Sequence, residues 1–460
     1  MLKKILIFIL LIPAVLICSY TPAKAAAPLD KIVASSALLA EADTGAILYE
    51  QDIVSQHPAD ALAKIMTLLL AVSAIENEEV RIDELVEMTE SAWDDLGSKS
   101  TTQNIKPGEL MSLRDLMYCA YTGGASEACN MIAECIDGSI EAFVERMNIQ
   151  AMELGCKNTN FINTHGHYSA SQYTTAQDQY IIFREAMGRE LFAEISGTYK
   201  YTTENTNMSN ERNLVSSNLL LNANSKYFFR YCTAGMTSAT YEGGNSFVAY
   251  SEADGLSLIS VVLGSDVIIL EDESAEMRNL TESRRLFEWG VSEFGWRTIL
   301  SSSELVAKVP ILHGAGADAV ILRPESEITL LLAKDIPDDE FIRDITIYSL
   351  ESGEKLVAPI AAGTVLGELS LTRDGINHGT VKLVANTSIE LHRLEFIRMQ
   401  IVDVLSNSTT KTVLAILAIL LFLYIVLVIR YNVIRRKRLR RIKDAKRKLV
   451  NERHGMGENR

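Results

Sequence analysis

The sequence predicts a first domain of mixed α-helices and β-strands, a small all-β domain, and one transmembrane helix near the C-terminus. Its 460 residues are 48% hydrophobic, which is enough to bury the cores of two folded domains. Helical and strand patterns alternate over 29–296, whereas short strand-like runs separated by turn residues fill 298–395. An uncharged apolar run, Val413–Ile429, follows the second domain. These three observations define the predicted fold class.

The N-terminal residues are typical of a secretory signal peptide. Lys3 and Lys4 precede an apolar run, Ile5–Cys18, and the small residues of Ala23–Ala25 favour cleavage. We therefore expect residues 1–25 to be removed and the rest of the chain to be exported.

The first domain begins with a predicted β-hairpin followed by a buried helix. Strand-like residues within Ile32–Asp52 flank a turn at Asp43–Gly45. The apolar helical stretch that follows contains Lys64. Because a buried lysine is costly without a partner or a task, Lys64 is a candidate functional residue.

The rest of the first domain mixes helical and strand patterns. A long helical region, Leu113–Ile136, contains paired glycines within Thr122–Ser126, which indicate a break or a loop. A polar segment, two strands and a closing helix follow at Asn158–Tyr180, Ser246–Tyr250, Leu256–Gly264 and Ala275–Phe294.

The second domain, 298–395, is predicted to contain only β-strands. Its strand-like runs are Glu304–Val309, Ala319–Leu322, Glu327–Leu332, Asp344–Ser349, Gly367–Leu371 and Gly379–Val384. A helical pattern at Leu391–Val404 predicts a stem that leads to the membrane, and we place the stem segment at 396–411.

The apolar run near the C-terminus predicts a transmembrane helix at 412–430. A run of about 17 residues is just long enough to cross the bilayer core. The segment 431–460 is strongly basic: from Arg430 onwards, 13 Lys and Arg face three acidic residues. Since positive charge stays cytoplasmic, we expect a cell-membrane protein with a cytoplasmic tail and an extracytoplasmic body.

Charge is distributed unevenly along the chain. The formal net charge is −15, and removing the signal peptide and the basic tail leaves about −28 for the exported body. Such an acidic body argues against nucleic acid as a partner, whereas the tail would be attracted to anionic lipids. The tail is interpreted mainly as a topology anchor.

Five cysteines remain after the signal peptide: Cys119, Cys129, Cys135, Cys156 and Cys232. An odd number cannot all pair, and their spacing fits no zinc motif. We interpret them mainly as small core residues. The sequence predicts no metal and no cofactor, and it gives no oligomeric state.

Eight segments, taken together in chain order, carry a family resemblance. They are Ala37–Tyr49, His57–Ala59 with Lys64–Thr67, Ile105–Glu109, Asp115–Met117, Glu127–Asn130, Thr159–Gly166, Tyr173–Asp178 and Val261–Gly264. Each segment alone is weakly specific, but their shared order is specific. The chain resembles bacterial D-alanyl-D-alanine carboxypeptidases of the low-molecular-weight penicillin-binding type, over nearly everything between signal peptide and membrane helix.

The resemblance implies a fold and an activity. The fold is a penicillin-binding or β-lactamase-like serine-peptidase domain, in which a helix-flanked β-sheet meets an all-helical part at the active site, followed by a β-sandwich domain. Members of the family remove the terminal D-alanine from peptidoglycan stem peptides and are acylated by β-lactams. An exported chain fits that role.

Each catalytic element of the family is altered in this chain. The family elements are Ser-x-x-Lys, Ser-Asp-Asn and Lys-Thr-Gly. Ala61 stands at the position of the serine nucleophile, three residues before the retained Lys64. Gly124-Ala125-Ser126 matches the second element, with both polar side chains altered. Thr233-Ala234-Gly235 matches the third element, and the cation that would bind the substrate carboxylate is missing.

We therefore interpret the chain as a membrane-tethered, inactive homologue that binds a peptidoglycan stem peptide or a cell-envelope protein. Removing the nucleophile of a comparable serine enzyme lowers turnover by about a millionfold. Two alternatives stay open. Ser126 could act with Lys64 as a displaced nucleophile, or the chain could be a wall-sensing scaffold whose basic tail recruits a cytoplasmic partner.

Other polar residues are assigned structural roles. His165 and His167, with Asp178 downstream, fit no standard metal motif, and His165 falls in a segment that matches a non-catalytic part of the family pattern. Glu127 and Glu134 are predicted to be solvated residues of a helix rather than a pair of catalytic acids.

Overall fold

The computed structural model describes residues 29–94, 96–97, 100–269 and 275–455. The predicted signal peptide, 1–25, lies outside these residues. The chain divides into two compact units. The first extends to Arg297 and includes Thr329–Glu340, and the second comprises Thr298–Ile328 and the chain from Phe341 onwards. The all-β domain predicted at 298–395 is thus interrupted by a segment of the first unit.

The first unit contains both helices and strands. The strands are β1 (Ser36–Glu41), β2 (Ile47–Gln51), β3 (His57–Pro58), β4 (Leu85–Glu87), β5 (Leu110–Ser112), β6 (Tyr173–Thr174), β7 (Lys200–Thr202), β8 (Asn213–Val215), β9 (Cys232–Thr240), β10 (Gly244–Ala253), β11 (Leu256–Ser265), β12 (Val267–Ile269) and β13 (Ala275–Met277). The helices are α1 (Ala63–Glu76), α2 (Glu90–Asp94), α3 (Leu113–Tyr121), α4 (Ser126–Asp137), α5 (Ile140–Glu153), α6 (Ala176–Met187), α7 (Glu190–Gly197) and α8 (Arg278–Glu293). Short 3₁₀ turns lie at Asp60–Leu62 and Leu219–Leu221.

A five-stranded sheet forms the centre of the first unit, with strand order β2-β1-β11-β10-β9. Neighbouring strands are antiparallel throughout, and the predicted hairpin is confirmed as β1 and β2. In the middle strand, Val261 pairs with Leu38 of β1 and with Val248 of β10. Nearly all of β11 is buried, because packed elements cover both faces of the sheet.

Two hydrophobic cores use the two faces of this sheet. Because side chains alternate along a strand, Leu38 joins the core that contains α1, and Leu39 joins the core that contains Phe287 of α8. Helix α1 is apolar on almost every side and is buried accordingly. The burial of α1 carries Lys64 into the protein interior.

The five cysteines of the described residues are free thiols, and all of them are at least partly buried. Cys119, Cys129 and Cys232 are buried, whereas Cys135 and Cys156 are partly buried. Burial raises the pKa of the Cys129 thiol to about 12, so this group stays protonated at neutral pH.

The second unit is built around a sheet, as predicted. The boundary falls within β14 (Phe294–Leu300), and β17 (Ile328–Ala333) lies almost wholly in the segment that belongs to the first unit. The later elements of the second unit, before its C-terminal helices, are β15 (Ala307–Leu312), β16 (Ala319–Pro324), β18 (Ile342–Ile347), α9 (Tyr348–Glu351), β19 (Leu356–Val357), β20 (Val365–Arg373) and β21 (Ile376–Ala385). A six-stranded sheet has the order β18-β20-β21-β16-β15-β19. Leu322, Leu369 and Leu383 are fully buried in this unit.

Two helices end the described chain. Helix α10 (Arg393–Ser406) corresponds to the predicted stem, and helix α11 (Ser408–Gly455) contains the apolar run Val413–Ile429. At about 1.5 Å per residue, that run is about 25 Å long. Within the described residues, α11 is the one helix long and apolar enough to cross a membrane, and it fits a membrane anchor.

Candidate active site

A cavity of about 600 Å³ lies in the first unit where the sheet meets the helical part. Its lining comes from five parts of the chain: the start of α1, the segment between α2 and β5, the start of α4, the loop before β6, and the end of β9 with the residues after it. Lys64, Thr101, Ser126, His165 and Ser238 represent these parts in the lining. Ala61 and Ser238, which both line the cavity, are 177 positions apart in the sequence.

Ala61 lies in the short 3₁₀ turn that leads into α1. Its methyl group offers no nucleophile to the cavity. Its backbone N–H donates a hydrogen bond to Ser238 Oγ at 3.1 Å. In acyl-transfer enzymes, backbone N–H groups beside the nucleophile stabilise the oxyanion, so this donor is already occupied in the present arrangement.

Lys64 lies one turn into the interior from Ala61. The side chain is buried, and its Nζ donates to the backbone carbonyl oxygen of His165. Burial lowers the pKa of Lys64, while the nearby Cys129 and Glu127 act in the opposite direction. The buried amine of Lys64 therefore has a hydrogen-bond partner, so a catalytic task is not needed to explain its burial.

Ser126 is the first residue of α4, and it lines the cavity together with Lys64. Its backbone N–H donates to the carbonyl oxygen of Thr101 at 2.8 Å. Among the described residues, the hydrogen-bond partner of Lys64 Nζ is the His165 carbonyl rather than Ser126 Oγ. Gly124 has φ +69°, so it supplies the left-handed turn between α3 and α4 rather than a functional group.

Thr233, Ala234 and Gly235, the residues matched to the third element, lie in β9 but do not line the cavity. Ser238, Ala239 and Thr240, at the end of the same strand, do line it. Gly235 is explained by packing, since a Cβ there would lie 2.8 Å from the Val248 carbonyl oxygen. The hydrogen bond from Ala61 identifies Ser238 as the residue of β9 beside the altered nucleophile position.

Strand β9 contains no Lys or Arg along its whole length. No placement of the third element along this strand therefore supplies the cation of the family element, and the conclusion that this cation is missing is unchanged.

Asp60 is a site residue that the sequence did not single out. It precedes Ala61, has φ +44° and is buried. Its Oδ2 accepts a hydrogen bond from Thr240 Oγ1 at 2.6 Å, whereas Oδ1 has no partner among the described residues. Burial raises the pKa of this carboxyl, and the Thr240 hydrogen bond opposes the rise.

Two glycines are required around Asp60. A Cβ at Gly166 would lie 1.9 Å from the Asp60 carbonyl oxygen, and one at Gly243 would lie 2.1 Å from Asp60 Oδ2. Asp60 is therefore in close contact with backbone at Gly166 and at Gly243, and a side chain at either glycine would collide with it.

The prediction that Glu127 is a solvated helix residue is wrong. Its side chain is fully buried, and Oε1 accepts from the backbone N–H groups of Gln103 at 2.6 Å and Ile105 at 3.4 Å. Burial raises the pKa of Glu127, which these hydrogen bonds oppose. Glu134 is partly exposed, and its oxygens accept from Thr89 and Ser91.

The residues His165, His167 and Asp178 do not form a catalytic triad. Asp178 accepts from the backbone of Lys157 and Asn158 at 3.2 and 2.8 Å, and so it holds a neighbouring loop. His165 and His167 both line the cavity, and His165 Nδ1 accepts from the His167 backbone N–H at 3.1 Å. Within the described ranges, no group of three His, Cys, Asp or Glu is arranged to hold a metal ion.

Comparison with known proteins gives consistent results. Residues 21–267, more than half of the chain, match the family described as D-alanyl-D-alanine carboxypeptidase. The D-alanyl-D-alanine carboxypeptidase DacF of Bacillus subtilis is 28% identical over 343 residues, which are 74% of this chain and 82% of that protein. The carboxypeptidase DacD of Escherichia coli is also 28% identical, over 74% of this chain and 83% of its own length.

Solved structures share the fold. Penicillin-binding protein 6B from Escherichia coli aligns with a TM-score of 0.59 and 23% identity, over 78% of this chain and 98% of its own. Penicillin-binding protein 5 from Haemophilus influenzae aligns with a TM-score of 0.57 and 23% identity, over 79% and 99%. At this level of identity the likeness concerns the fold.

Proposed function

Since the chain belongs to the D-alanyl-D-alanine carboxypeptidase family, we propose that it is a catalytically inactive, membrane-anchored member that binds cell-wall material at a retained cleft. The ligand is a peptidoglycan stem peptide or a protein of the cell envelope. The observation that carries the proposal is Ala61, which has no hydroxyl and whose N–H is already bound by Ser238.

Three independent losses support inactivity. Without a hydroxyl at position 61, no acyl-enzyme can form there, which by analogy costs about a millionfold in turnover. Loss of one oxyanion donor costs about a hundred- to a thousandfold. Strand β9 offers no Lys or Arg to a substrate carboxylate, in contrast to the lysine of the family element.

Binding is supported by the space that remains. This partly open cleft has a volume of about 600 Å³ and many polar groups in its lining, which is within the size range of ligand sites. Lys64 and His165 both line the cleft, and the hydrogen bond from Lys64 Nζ to the His165 carbonyl oxygen holds these two parts of the lining together. Lys64 can therefore preserve the shape of the cleft without a catalytic task.

A working hydrolase is the second candidate. It is favoured by one observation, that Ser126 and Lys64 line the same cavity. It requires Lys64 to leave the His165 carbonyl and take the proton of Ser126, and the attack would have to reach a new oxyanion site.

The membrane arrangement is part of the proposal. The apolar run of α11 would cross the bilayer, with the basic residues after it in the cytoplasm and the folded chain before it outside. In the scaffold alternative, the same tail recruits a cytoplasmic partner in addition to fixing the topology.

Release of D-alanine tests inactivity directly. The full chain in detergent micelles is incubated with a stem pentapeptide ending in D-Ala-D-Ala, and free D-alanine is measured. We expect no release above that of a Lys64→Met control. If the unaltered chain released D-alanine and the Ser126→Ala variant did not, Ser126 would be established as a displaced nucleophile.

A further inference from the structure

Two exposed tyrosines lie at the mouth of the cleft, and hydroxyl groups line its interior. Resting on the proposed function, we infer that the mouth of the cleft carries a sugar-binding subsite, which takes a neutral sugar ring of the cell wall. The ligand class is an N-acetylated amino sugar within a glycan strand. Stem peptides are attached to such strands, so a single polymer supplies both the sugar and the peptide.

Tyr168 and Tyr241 line the cleft and are nevertheless 38% and 97% exposed, so their rings lie at its mouth. Within the part of the chain that the structure describes, neither ring stacks on another ring or on a cation. One face of a sugar ring consists of C–H groups and is apolar enough to cover an aromatic ring. Each tyrosine therefore offers a flat platform for a sugar.

The turn that carries Tyr241 is held in place by buried groups. It follows β9, and Thr240, at the end of that strand, donates from Oγ1 to Asp60 Oδ2 at 2.6 Å. The same hydroxyl oxygen accepts from the Gly243 N–H at 2.9 Å. A Cβ at Gly243 would lie 2.1 Å from Asp60 Oδ2, so the turn also packs closely against Asp60. The backbone at Tyr241 is thus fixed before any ligand binds, which lowers the entropic cost of binding.

The loop that carries Tyr168 is held by a second set of contacts. The buried Asn163 donates from Nδ2 to the His167 carbonyl oxygen at 2.9 Å, directly before Tyr168. Lys64 Nζ donates to the carbonyl oxygen of His165 in the same loop. Both exposed rings are therefore carried by backbone that is preorganised for binding.

Hydroxyl groups are frequent in the lining, where seven of the described residues carry one. Ser238 Oγ accepts from the Ala61 N–H, which leaves the Ser238 O–H to donate. Ser100 Oγ is buried and has no hydrogen-bond partner among the described residues. Since buried polar atoms are normally satisfied, this oxygen calls for a partner from a ligand or from water. Hydroxyls donate and accept at once, as do the hydroxyl and acetamide groups of an amino sugar.

The available groups favour a sugar at the mouth over a further length of peptide. The Ala61 N–H, a backbone donor that a peptide carbonyl could use, is occupied by Ser238. Ring stacking and hydroxyl hydrogen bonds need no net charge on the ligand, so a neutral sugar satisfies both. The volume of about 600 Å³ is within the range of sites that bury drug-sized ligands, and a disaccharide is of that size.

Binding of a neutral oligosaccharide to the full chain tests the subsite. The probe is the tetramer of β-1,4-linked N-acetylglucosamine, and the detergent is a polyoxyethylene type whose head group contains no sugar. Isothermal titration calorimetry measures the affinity. Tyr241→Ala removes one ring, and Tyr241→Phe keeps it. The control Tyr348→Ala removes a tyrosine of α9 that is 44% exposed and is not part of the lining.

We expect the unaltered chain to bind the tetramer and Tyr241→Ala to weaken the affinity about tenfold, because stacking on an aromatic ring contributes about that much. Tyr241→Phe and Tyr348→Ala should bind as the unaltered chain does. No binding by the unaltered chain, or equal affinities for the unaltered chain and Tyr241→Ala, would overturn the inference. An equal loss of affinity in Tyr348→Ala and Tyr241→Ala would overturn it as well.

The proposed function has a separate readout. Sedimentation of the full chain with purified, insoluble peptidoglycan measures binding to the cell wall as a whole. If the chain sediments with peptidoglycan but does not bind the tetramer, the sugar subsite is wrong and the proposed function stands. If the chain binds the tetramer but releases D-alanine from a stem pentapeptide, inactivity is wrong and the sugar subsite stands.

Discussion

Ala61 and Ser238, which are distant in the sequence, would both impair acylation at this site. Ala61 removes the nucleophile, and the Ser238 hydroxyl accepts the N–H that an oxyanion would need. Replacing Ala61 with serine would therefore restore the nucleophile, but the backbone N–H of residue 61 would still be hydrogen-bonded to Ser238.

We predict that Ala61→Ser alone acylates with penicillin much more slowly than the double variant Ala61→Ser, Ser238→Gly. Removing the Ser238 hydroxyl frees one oxyanion donor, which is worth about a hundredfold or more in rate. The measurement is the rate of labelling by a fluorescent penicillin. Equal rates for the two variants would show that Ser238 does not limit the site.

The raised pKa of Asp60 should make the free energy of unfolding depend on pH. Burial raises its pKa above the ordinary value of 3.8, so the folded protein holds this proton to higher pH than the unfolded chain does. The stabilising contribution of the protonated form is complete below 3.8 and is lost as the pH rises through the raised pKa.

We predict that Asp60→Asn reduces the fall in stability between pH 4 and pH 7. Asparagine tolerates the left-handed backbone of residue 60, so the change should act mainly on charge. Urea unfolding midpoints at several pH values provide the measurement. Asp52→Asn is the matched control, because Asp52 also has positive φ, at 50°, but is exposed. An unchanged pH slope in Asp60→Asn would contradict the assignment.

Individual site residues were predictable to the extent that they lie in contiguous motifs. Ala61, Lys64 and Ser126 were identified from local spacing, and all three line the cavity. Asp60 and Ser238 were missed because their importance arises from contacts with Thr240 and Ala61 across the fold. Burial of Glu127 was missed because it depends on the loop that supplies its N–H donors.

At the scale of elements, a buried ion pair connects the chain before β8 to the loop before β5. Arg212 donates to both oxygens of Glu109, and the two side chains are only 10% and 1% exposed. Arg212 also donates through Nε to the Gln103 carbonyl at 3.0 Å. These contacts hold the segment whose N–H groups bind Glu127.

We predict that Arg212→Met destabilises the protein by about 3–5 kcal/mol, because it leaves the buried Glu109 without its charged partner, although Thr206 and the Lys106 N–H still donate to it. The exposed pair Arg81–Asp83, with 78% and 65% exposure, provides the control. Arg81→Met should have a much smaller effect, because water screens an exposed ion pair. Denaturant unfolding of both variants measures the difference. Similar losses of stability in the two variants would show that the buried pair stabilises the protein no more than the exposed pair does.

Element types were largely predictable, whereas registers and boundaries were not. The break predicted within Thr122–Ser126 is confirmed, since α3 ends at Tyr121 and α4 begins at Ser126. The closing helix predicted from Ala275 begins instead at Arg278, because Ala275–Met277 pairs with β12.

At the scale of the whole molecule, the chain combines an acidic body with an apolar helix and a basic end. The family match and the cleft concern the first compact unit, and the long apolar helix fits a membrane anchor. This combination agrees with the proposed role, a membrane-anchored protein that binds wall material. The return of Thr329–Glu340 to the first unit was not predicted from composition and pattern.

Intact-mass spectrometry after incubation with excess benzylpenicillin tests the central claim, that no acyl-enzyme forms. The account predicts that the purified full chain keeps the mass of the untreated protein. A species heavier by one penicillin molecule, stable to denaturation, would contradict it.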